Sequence, residues 1–191
     1  MEAPVRSFLA IDPDEGATAA LRGWLDALRE APWAGHVRWV APGNLHITLR
    51  FLGDVAPARL AELGDALRGA LRGAPAPFEV SLAAPAPFPN AARPRAIASL
   101  AAPHPALTQV AAIAERCAQG LGLAPEGRPF KGHLTFGRPR PELPRLAAPL
   151  LPVEPLALRV TGVTLYKSEL TRAGAIYTAL GRFVIGEGQG G

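Results

Sequence analysis

The chain has four histidines, at positions 36, 46, 104 and 133. Two of them sit in the same local pattern. One is Asn44-Leu45-His46-Ile47-Thr48-Leu49, the other Lys131-Gly132-His133-Leu134-Thr135-Phe136. Each reads His-apolar-Thr-apolar, a strand pattern in which residues i and i+2 share a face. His46 therefore shares a face with Thr48, and His133 with Thr135. Two imidazoles turned toward one cleft suit general acid–base chemistry, in which one takes a proton from water and the other gives one to a leaving oxygen. Phosphodiester cleavage needs both steps. Threonine hydroxyls can donate to the non-bridging phosphate oxygens, where charge builds. Cations lie close in sequence: Arg128, Lys131 and Arg138 flank the second motif, and Arg50 follows the first. A strand histidine is more often a core or rim residue, and threonine in a strand needs no special reason. The repetition, in half of a scarce residue type, is what favours chemistry here. His36 and His104 lack such a context. Two histidines without matched carboxylates fall short of a usual metal ligand set. No GxxxxGK[ST], HExxH or GxSxG motif occurs, which weighs against triphosphatase, zinc protease and serine hydrolase readings.

The elements that must position these motifs can be read from periodicity. Residues 5–11 (VRSFLAI) form a short apolar strand ended by Asp12-Pro13. Residues 14–29 carry apolar side chains at helical spacing, with Asp12 or Asp14 as cap. Residues 36–40 and 45–52 alternate as strands around the turn at 41–44. A helix spans 57–71, opened by Pro57. Strands follow at 78–83 and 95–100, separated by an exposed Pro-rich connection over 85–94. A third helix covers 105–121, with Leu107, Val110, Ile113, Ala114 and Cys117 on one face. Residues 128–138 are a strand holding the second motif. Residues 139–155 are proline-rich and carry no assignable pattern. Strands at 156–165 and 175–184 are joined by a loop at 168–174, and the tail 186–191 is expected to be disordered. Strands this short and close fit an α+β chain with mostly antiparallel sheets, not a doubly wound parallel sheet.

Composition bounds the rest. Of 191 residues, 49% are hydrophobic and 19% charged, which excludes a disordered chain. The length suits one domain over 1–185, or two small lobes sharing a core. No apolar run approaches the roughly 20 residues of a membrane span. The N-terminus MEAPVRSFLAID has no long apolar stretch of a signal peptide. The single Cys117 excludes an internal disulfide. These features lead us to expect a soluble, cytoplasmic protein with no membrane contact. The net charge of +4 suits an anionic partner such as RNA, although an ordinary solvated surface explains it equally well.

The two motifs stand 87 residues apart (46 to 133), close to half the chain, which suggests two similar lobes with one His-Thr pair each. They resemble those of the two-histidine phosphoesterase superfamily. Within it, the sequence is similar to the RNA 2′,3′-cyclic phosphodiesterase family, also called 2′-5′ RNA ligase-like. The resemblance runs over most of the chain: RSFLAID, VRWVAPGNLHITLRFLGD, RPFKGHLTFGR and LYKSELTRAGAIYTAL. It implies an α+β fold of two pseudo-symmetric lobes, whose mostly antiparallel sheets form a central concave cleft with the motifs on its floor. It also implies opening of a ribose 2′,3′-cyclic phosphate at an RNA end to a 2′-phosphate and a free 3′-hydroxyl, with no metal and no cofactor. RNA ends or cyclic nucleotides would be the substrate, and a monomer without an obligate partner would suffice. By the resemblance, His46 is the proton donor to the leaving 3′ oxygen and His133 the acceptor that activates water. Thr48 and Thr135 hold the phosphate. Phe51 matches an aromatic that stacks on the terminal base, the alternative being a core residue. Arg138 matches an arginine at the substrate, and Arg128 and Lys131 line a basic rim. The chain departs from the family pattern at Phe136, usually aliphatic, and at Lys131-Gly132, where many members carry a proline. Two other readings use the same residues: a 2′-5′ RNA ligase running the reverse reaction, and a non-catalytic RNA-binding module. Binding alone would not need two proton-transfer groups.

Overall fold

The computed structural model describes residues 3–172 and 174–186. In chain order the elements are β1 (Val5–Ile11), α1 (Glu15–Arg29), β2 (Val37–Trp39), β3 (Ile47–Val55), α2 (Pro57–Arg72), β4 (Phe78–Leu82), β5 (Ala86–Phe88), β6 (Ala96–Leu100), α3 (Pro105–Gly120), β7 (His133–Pro139), β8 (Leu156–Val160), β9 (Gly162–Thr171) and β10 (Gly174–Val184). Short 3-10 turns at Ala34–His36 and Pro42–Asn44 precede β2 and β3. Eight strands form one sheet in the order β10-β9-β1-β3-β7-β6-β5, with β2 added alongside β7. The strands β4 and β8 make a separate pair. Every pairing among the described residues is antiparallel, so the expected α+β architecture stands.

The sheet is built twice. Strand β1, helix α1 and motif strand β3 are followed later by strand β6, helix α3 and motif strand β7. In each half the first strand pairs with the motif strand: β1 with β3 and β6 with β7. The two halves join where β3 meets β7. The helices pack on one side of this sheet. Ala17, Leu21, Leu25 and Leu28 of α1 line one face at spacings of three and four. They share a core with Leu60, Leu63, Leu67 and Leu71 of α2 and Leu107, Val110 and Ala114 of α3. Leu9, Ile11, Ile47, Leu134 and Phe136 from the strands complete it.

The start of α1 is fixed by Asp14, whose carboxylate accepts from the Ala17 N–H at 3.1 Å. Its second oxygen accepts from the Arg159 N–H at 2.7 Å, which ties the helix to β8. Of the two cap candidates Asp14 is the cap, and Asp12 serves elsewhere.

Several expected boundaries move. Residues 86–88, within the supposed exposed connection, form strand β5 against β6. The strand expected over 156–165 is two, β8 and β9, broken at Thr161. The loop expected at 168–174 is mostly strand, because β9 runs to Thr171 and pairs with β10 as far as Gly174. The second motif strand starts at His133, not 128. The expected tail begins at Gly186, whose N–H donates to the Leu71 carbonyl at 3.1 Å; residues 187–191 lie outside the described residues.

Gly137 marks the tightest approach near the motifs. It opposes Trp39 in the β2–β7 pair. A Cβ there would fall on Val37 Cγ1 and lie 3.0 Å from Trp39 Cε3. Gly137→Ala is expected to destabilise the fold by about 1–3 kcal/mol through overpacking, read as a lower urea midpoint at unchanged m-value.

Candidate active site

Strands β3 and β7 meet through a single antiparallel pair, Ile47 with Leu134. Both side chains are fully buried in the core. The residues on either side of each therefore point to the opposite face. Antiparallel register sets His46 across from Thr135, and Thr48 across from His133. The four motif side chains make a crossed square on the face away from the helices, and all four are half-buried.

Just past each threonine the sheet is interrupted in the same way. Leu9 and Ala10 of β1 pair with Arg50 and Thr48, leaving Leu49 as an extra residue. Ile97 and Ala98 of β6 pair with Gly137 and Thr135, leaving Phe136 as an extra residue. Both extra residues are buried. An inserted residue reverses the in–out alternation beyond it. Phe51 and Arg138 are thereby returned to the cleft face, each three residues after its threonine. Phe51 is 56% exposed and lies directly opposite Phe8 of β1, ring centroids 6.0 Å apart. Arg138 is exposed and makes no ion pair among the described residues.

The two histidines are held alike. His46 Nδ1 lies 2.7 Å from the Asn44 carbonyl oxygen, and His133 Nδ1 lies 2.8 Å from the Lys131 carbonyl oxygen. A carbonyl only accepts, so Nδ1 carries the proton in both rings and Nε2 is the nitrogen free to react. His46 Nε2 is 3.0 Å from Thr48 Oγ1. His46 also packs on Phe8 at 5.0 Å and edge-on to Tyr177 at 5.4 Å. His133 stacks on Phe88 at 4.7 Å, with the rings 19° from parallel. Two fixed imidazoles of the same tautomer, with two hydroxyls between them, can transfer one proton in and one proton out at a small anion.

The family model for LigT like Phosphoesterase matches the chain in two stretches, residues 11–98 and 100–177, each containing one motif. An RNA 2′,3′-cyclic phosphodiesterase of Methanothermobacter thermautotrophicus is 37% identical over 180 residues, covering 91% of this chain and 95% of its own. The crystal structure of TT0787 of Thermus thermophilus superposes with a TM-score of 0.77 at 28% identity, covering 97% of this chain and 100% of its own. Escherichia coli LigT complexed with 3′-AMP does so with a TM-score of 0.71 at 28% identity, covering 95% and 98%. The chain belongs to the LigT-like phosphoesterase family.

In this LigT-like phosphoesterase the two motifs share an electrostatic field. Burial lowers the His46 pKa below that of an ordinary imidazole. The hydrogen bond to the Asn44 carbonyl and the charge of Asp12 oppose this, while positive charge on His133 and Arg138 adds to it. It is the β3–β7 pairing, with His46 across from Thr135 and Thr48 across from His133, that brings the two motifs to one place. Burial pushes the Tyr177 hydroxyl pKa up, with the charges of Arg138 and Arg6 opposing it.

Other expected cations behave differently. Arg128 and Lys131 are exposed and form no ion pair among the described residues; of the two, Lys131 is tied to the site through its backbone carbonyl on His133 Nδ1. Arg50 is not in the cleft. The extra residue Leu49 turns it to the helix side, where it pairs with Glu115 at 2.6 Å and Glu126 at 3.6 Å and donates to the Ala124 carbonyl.

Sequence reasoning missed the wall around His46. Asp12 accepts from Thr164 Oγ1 at 2.6 Å and from the Tyr166 hydroxyl at 2.7 Å. Tyr166 stacks on Phe8 at 5.3 Å, and burial together with Asp12 pushes its pKa up. The Asn44 amide donates to the Ala175 carbonyl at 2.7 Å, which fastens the turn before His46 to β10. The quoted end blocks RSFLAID and LYKSELTRAGAIYTAL contain Phe8, Asp12, Tyr166 and Tyr177; the aromatic and acidic positions in them were the available signal.

Removing a positive neighbour should raise the His46 pKa. Arg138→Gln is expected to move the His46 ring titration to higher pH in NMR, and His133→Gln to do the same. An unmoved titration in both variants would show that the two motifs do not face one cleft.

Proposed function

We propose that the chain hydrolyses terminal 2′,3′-cyclic phosphates of RNA, leaving a 2′-phosphomonoester and a free 3′-hydroxyl. The observation that carries the reading is the crossed square of two Nδ1-tethered histidines and two threonines. The name of the relatives, RNA 2′,3′-cyclic phosphodiesterase, supports it, as does the 3′-AMP held by the LigT neighbour.

The phosphorus sits between the two Nε2 atoms. Thr48 and Thr135 donate to its non-bridging oxygens. His133 takes a proton from water as the water oxygen bonds to phosphorus. The P–O3′ bond breaks, and His46 gives its Nε2 proton to O3′. Each turnover leaves His133 charged and His46 neutral, and exchange with solvent resets them. Phe51 offers its exposed ring face to the terminal base. Arg138 pairs with the phosphate, and Arg128 and Lys131 extend the basic rim. No three His, Cys, Asp or Glu side chains converge as a metal set among the described residues, and this sequence of steps uses none. No helix among the described residues is long and apolar enough to cross a membrane, and a cytoplasmic monomer is the assembly this reading takes.

The donor role of His46 runs against the effect of its burial. Desolvation by the protein favours the neutral ring. The negative phosphodiester restores the balance, because an anion beside an imidazole favours the charged form. The sign follows for pH. The donor must be protonated, so activity is lost as pH rises through the His46 pKa. For kcat/KM, which reports the free protein, that loss begins below the ordinary imidazole range. For kcat, with phosphate bound, it begins at higher pH. Coincident alkaline limbs for the two parameters would remove His46 as the donor.

His46→Ala and His133→Ala are each expected to lower turnover of a 2′,3′-cyclic mononucleotide by about a hundredfold or more, with circular dichroism unchanged. The assay is run in EDTA, with the 2′-phosphate product identified by chromatography. Wild-type-like activity of either variant would refute its role.

A further inference from the structure

The β2–β7 pair extends the basic face beyond Arg138 into a strip with two arginines, Arg38 and Arg140, that the proposed reaction does not use. Arg38 of β2 lies directly across from Arg138 of β7. One step further out, the Arg140 N–H donates to the His36 carbonyl at 2.8 Å, so the register continues and Arg140 follows Arg138 at i+2. Arg38, Arg138 and Arg140 are all exposed. The opposite face of the same two strands is spoken for: Val37 is buried, and Val37 and Trp39 close over Gly137. The arginines therefore point to the cleft side.

Like charges directly opposite on a ladder are destabilising. Most arginine-rich surfaces relieve this with carboxylates, as Arg29, Arg50, Arg59 and Arg68 do in this chain. Neither Arg38, Arg138 nor Arg140 has an acidic partner within ion-pair distance among the described residues. The strip is continuous with the motif strand, leading away from Thr135 along one face of β7. An anion with charges repeated along its length fits such a track.

We propose that Arg38 and Arg140 bind the phosphates of nucleotides upstream of the reacting end and so favour a strand over a free cyclic nucleotide at the same catalytic square. This rests on the phosphodiesterase reading and adds two binding residues to it. Arg138 serves the reacting nucleotide, and Arg38 and Arg140 serve the strand behind it. A cyclic mononucleotide reaches only the catalytic square and ignores the strip.

The test uses the full chain and its Arg38→Gln/Arg140→Gln double variant. Two substrates are compared in EDTA: a single-stranded pentanucleotide ending in a 2′,3′-cyclic phosphate, and the cyclic mononucleotide of the same terminal base. In a second measurement, fluorescence anisotropy gives the Kd of the pentanucleotide ending in a 2′-phosphate. The double variant is expected to lose about tenfold in kcat/KM on the pentanucleotide, with mononucleotide turnover within about twofold of wild type, and to weaken the Kd in parallel. Its log Kd against log salt should flatten by about 1.4, the slope for two lost phosphate contacts on a single strand. Equal loss on both substrates, or an unchanged Kd and salt slope, would overturn the proposal. Absence of turnover by the wild-type protein would instead overturn the phosphodiesterase reading, and the anisotropy measurement would still decide the strip.

Discussion

The pairing of Ile47 with Leu134 is the joint on which the site depends. It is the one residue pair linking β3 to β7, and both its side chains are sealed in the core. Because they face inward, their neighbours must face outward, and four functional side chains from sequence-distant segments arrive at one place. Register supplies the rest. A slip of one residue would turn both histidines into the helix layer and both buried apolar residues into the cleft. The core holds the register, since burying His46 and His133 among leucines would strand polar ring nitrogens without partners. Packing of the hydrophobic layer and placement of the catalytic layer are thus the same constraint seen from two sides of one sheet.

Period-two alternation made the core of the site readable in the sequence. His46 with Thr48 and His133 with Thr135 share faces as the alternation requires, and the helices fall where the 3.6-residue period puts them. Asp14 is the cap of α1. What alternation could not reveal is where it breaks. The extra residues Leu49 and Phe136 are apolar like their neighbours and leave no mark in the pattern. Simple counting puts Arg50 beside Thr48, and the interrupted ladder sends it to Glu115 instead. The same interruption places Phe51 and Arg138 on the cleft face, where the family resemblance expected them for a reason the sequence did not display. Contacts across strands were equally hidden. The bonds from Thr164 and Tyr166 to Asp12 span more than 150 positions, and nothing local to Asp12 announces them. Strand β5 was obscured because prolines surround it, and proline is tolerated at a sheet edge where its missing N–H faces outward.

Two halves with one backbone plan still yield two different histidines. The tethers are the same, a carbonyl two residues upstream of each ring. The differences lie in what fills equivalent positions. By the pairing of Ala10 with Thr48 and Ala98 with Thr135, Phe8 in the first half corresponds to Ala96 in the second. Phe8 fills the space beside His46 itself and is backed by Tyr166. Ala96 leaves that space open, and Phe88, its direct partner on β5, reaches over it to stack on His133. Each ring is thus braced by one phenyl group delivered from a different strand, which preserves orientation while changing exposure.

Charge is distributed just as unevenly. Asp12 lies in the field of His46, and the turn before His46 is bolted to β10 through Asn44. The turn before His133 instead carries the exposed Lys131 and leads into a strand that bears the exposed Arg138. Phe51 and Arg138, which occupy matching places beyond the two interruptions, divide the same way: one apolar face and one cation. A cyclic phosphate at a chain end is itself lopsided, with a base on one side of the phosphorus and the strand's anionic backbone on the other. A symmetric cleft would bind it in two orientations and hold the wrong oxygen against the proton donor half the time. On the proposed reading, the aromatic wall around His46 and the exposed cations Lys131 and Arg138 near His133 select one orientation. On that same reading, proton donor and proton acceptor, chemically the same side chain in the same tautomer, are told apart by the substrate lying between them.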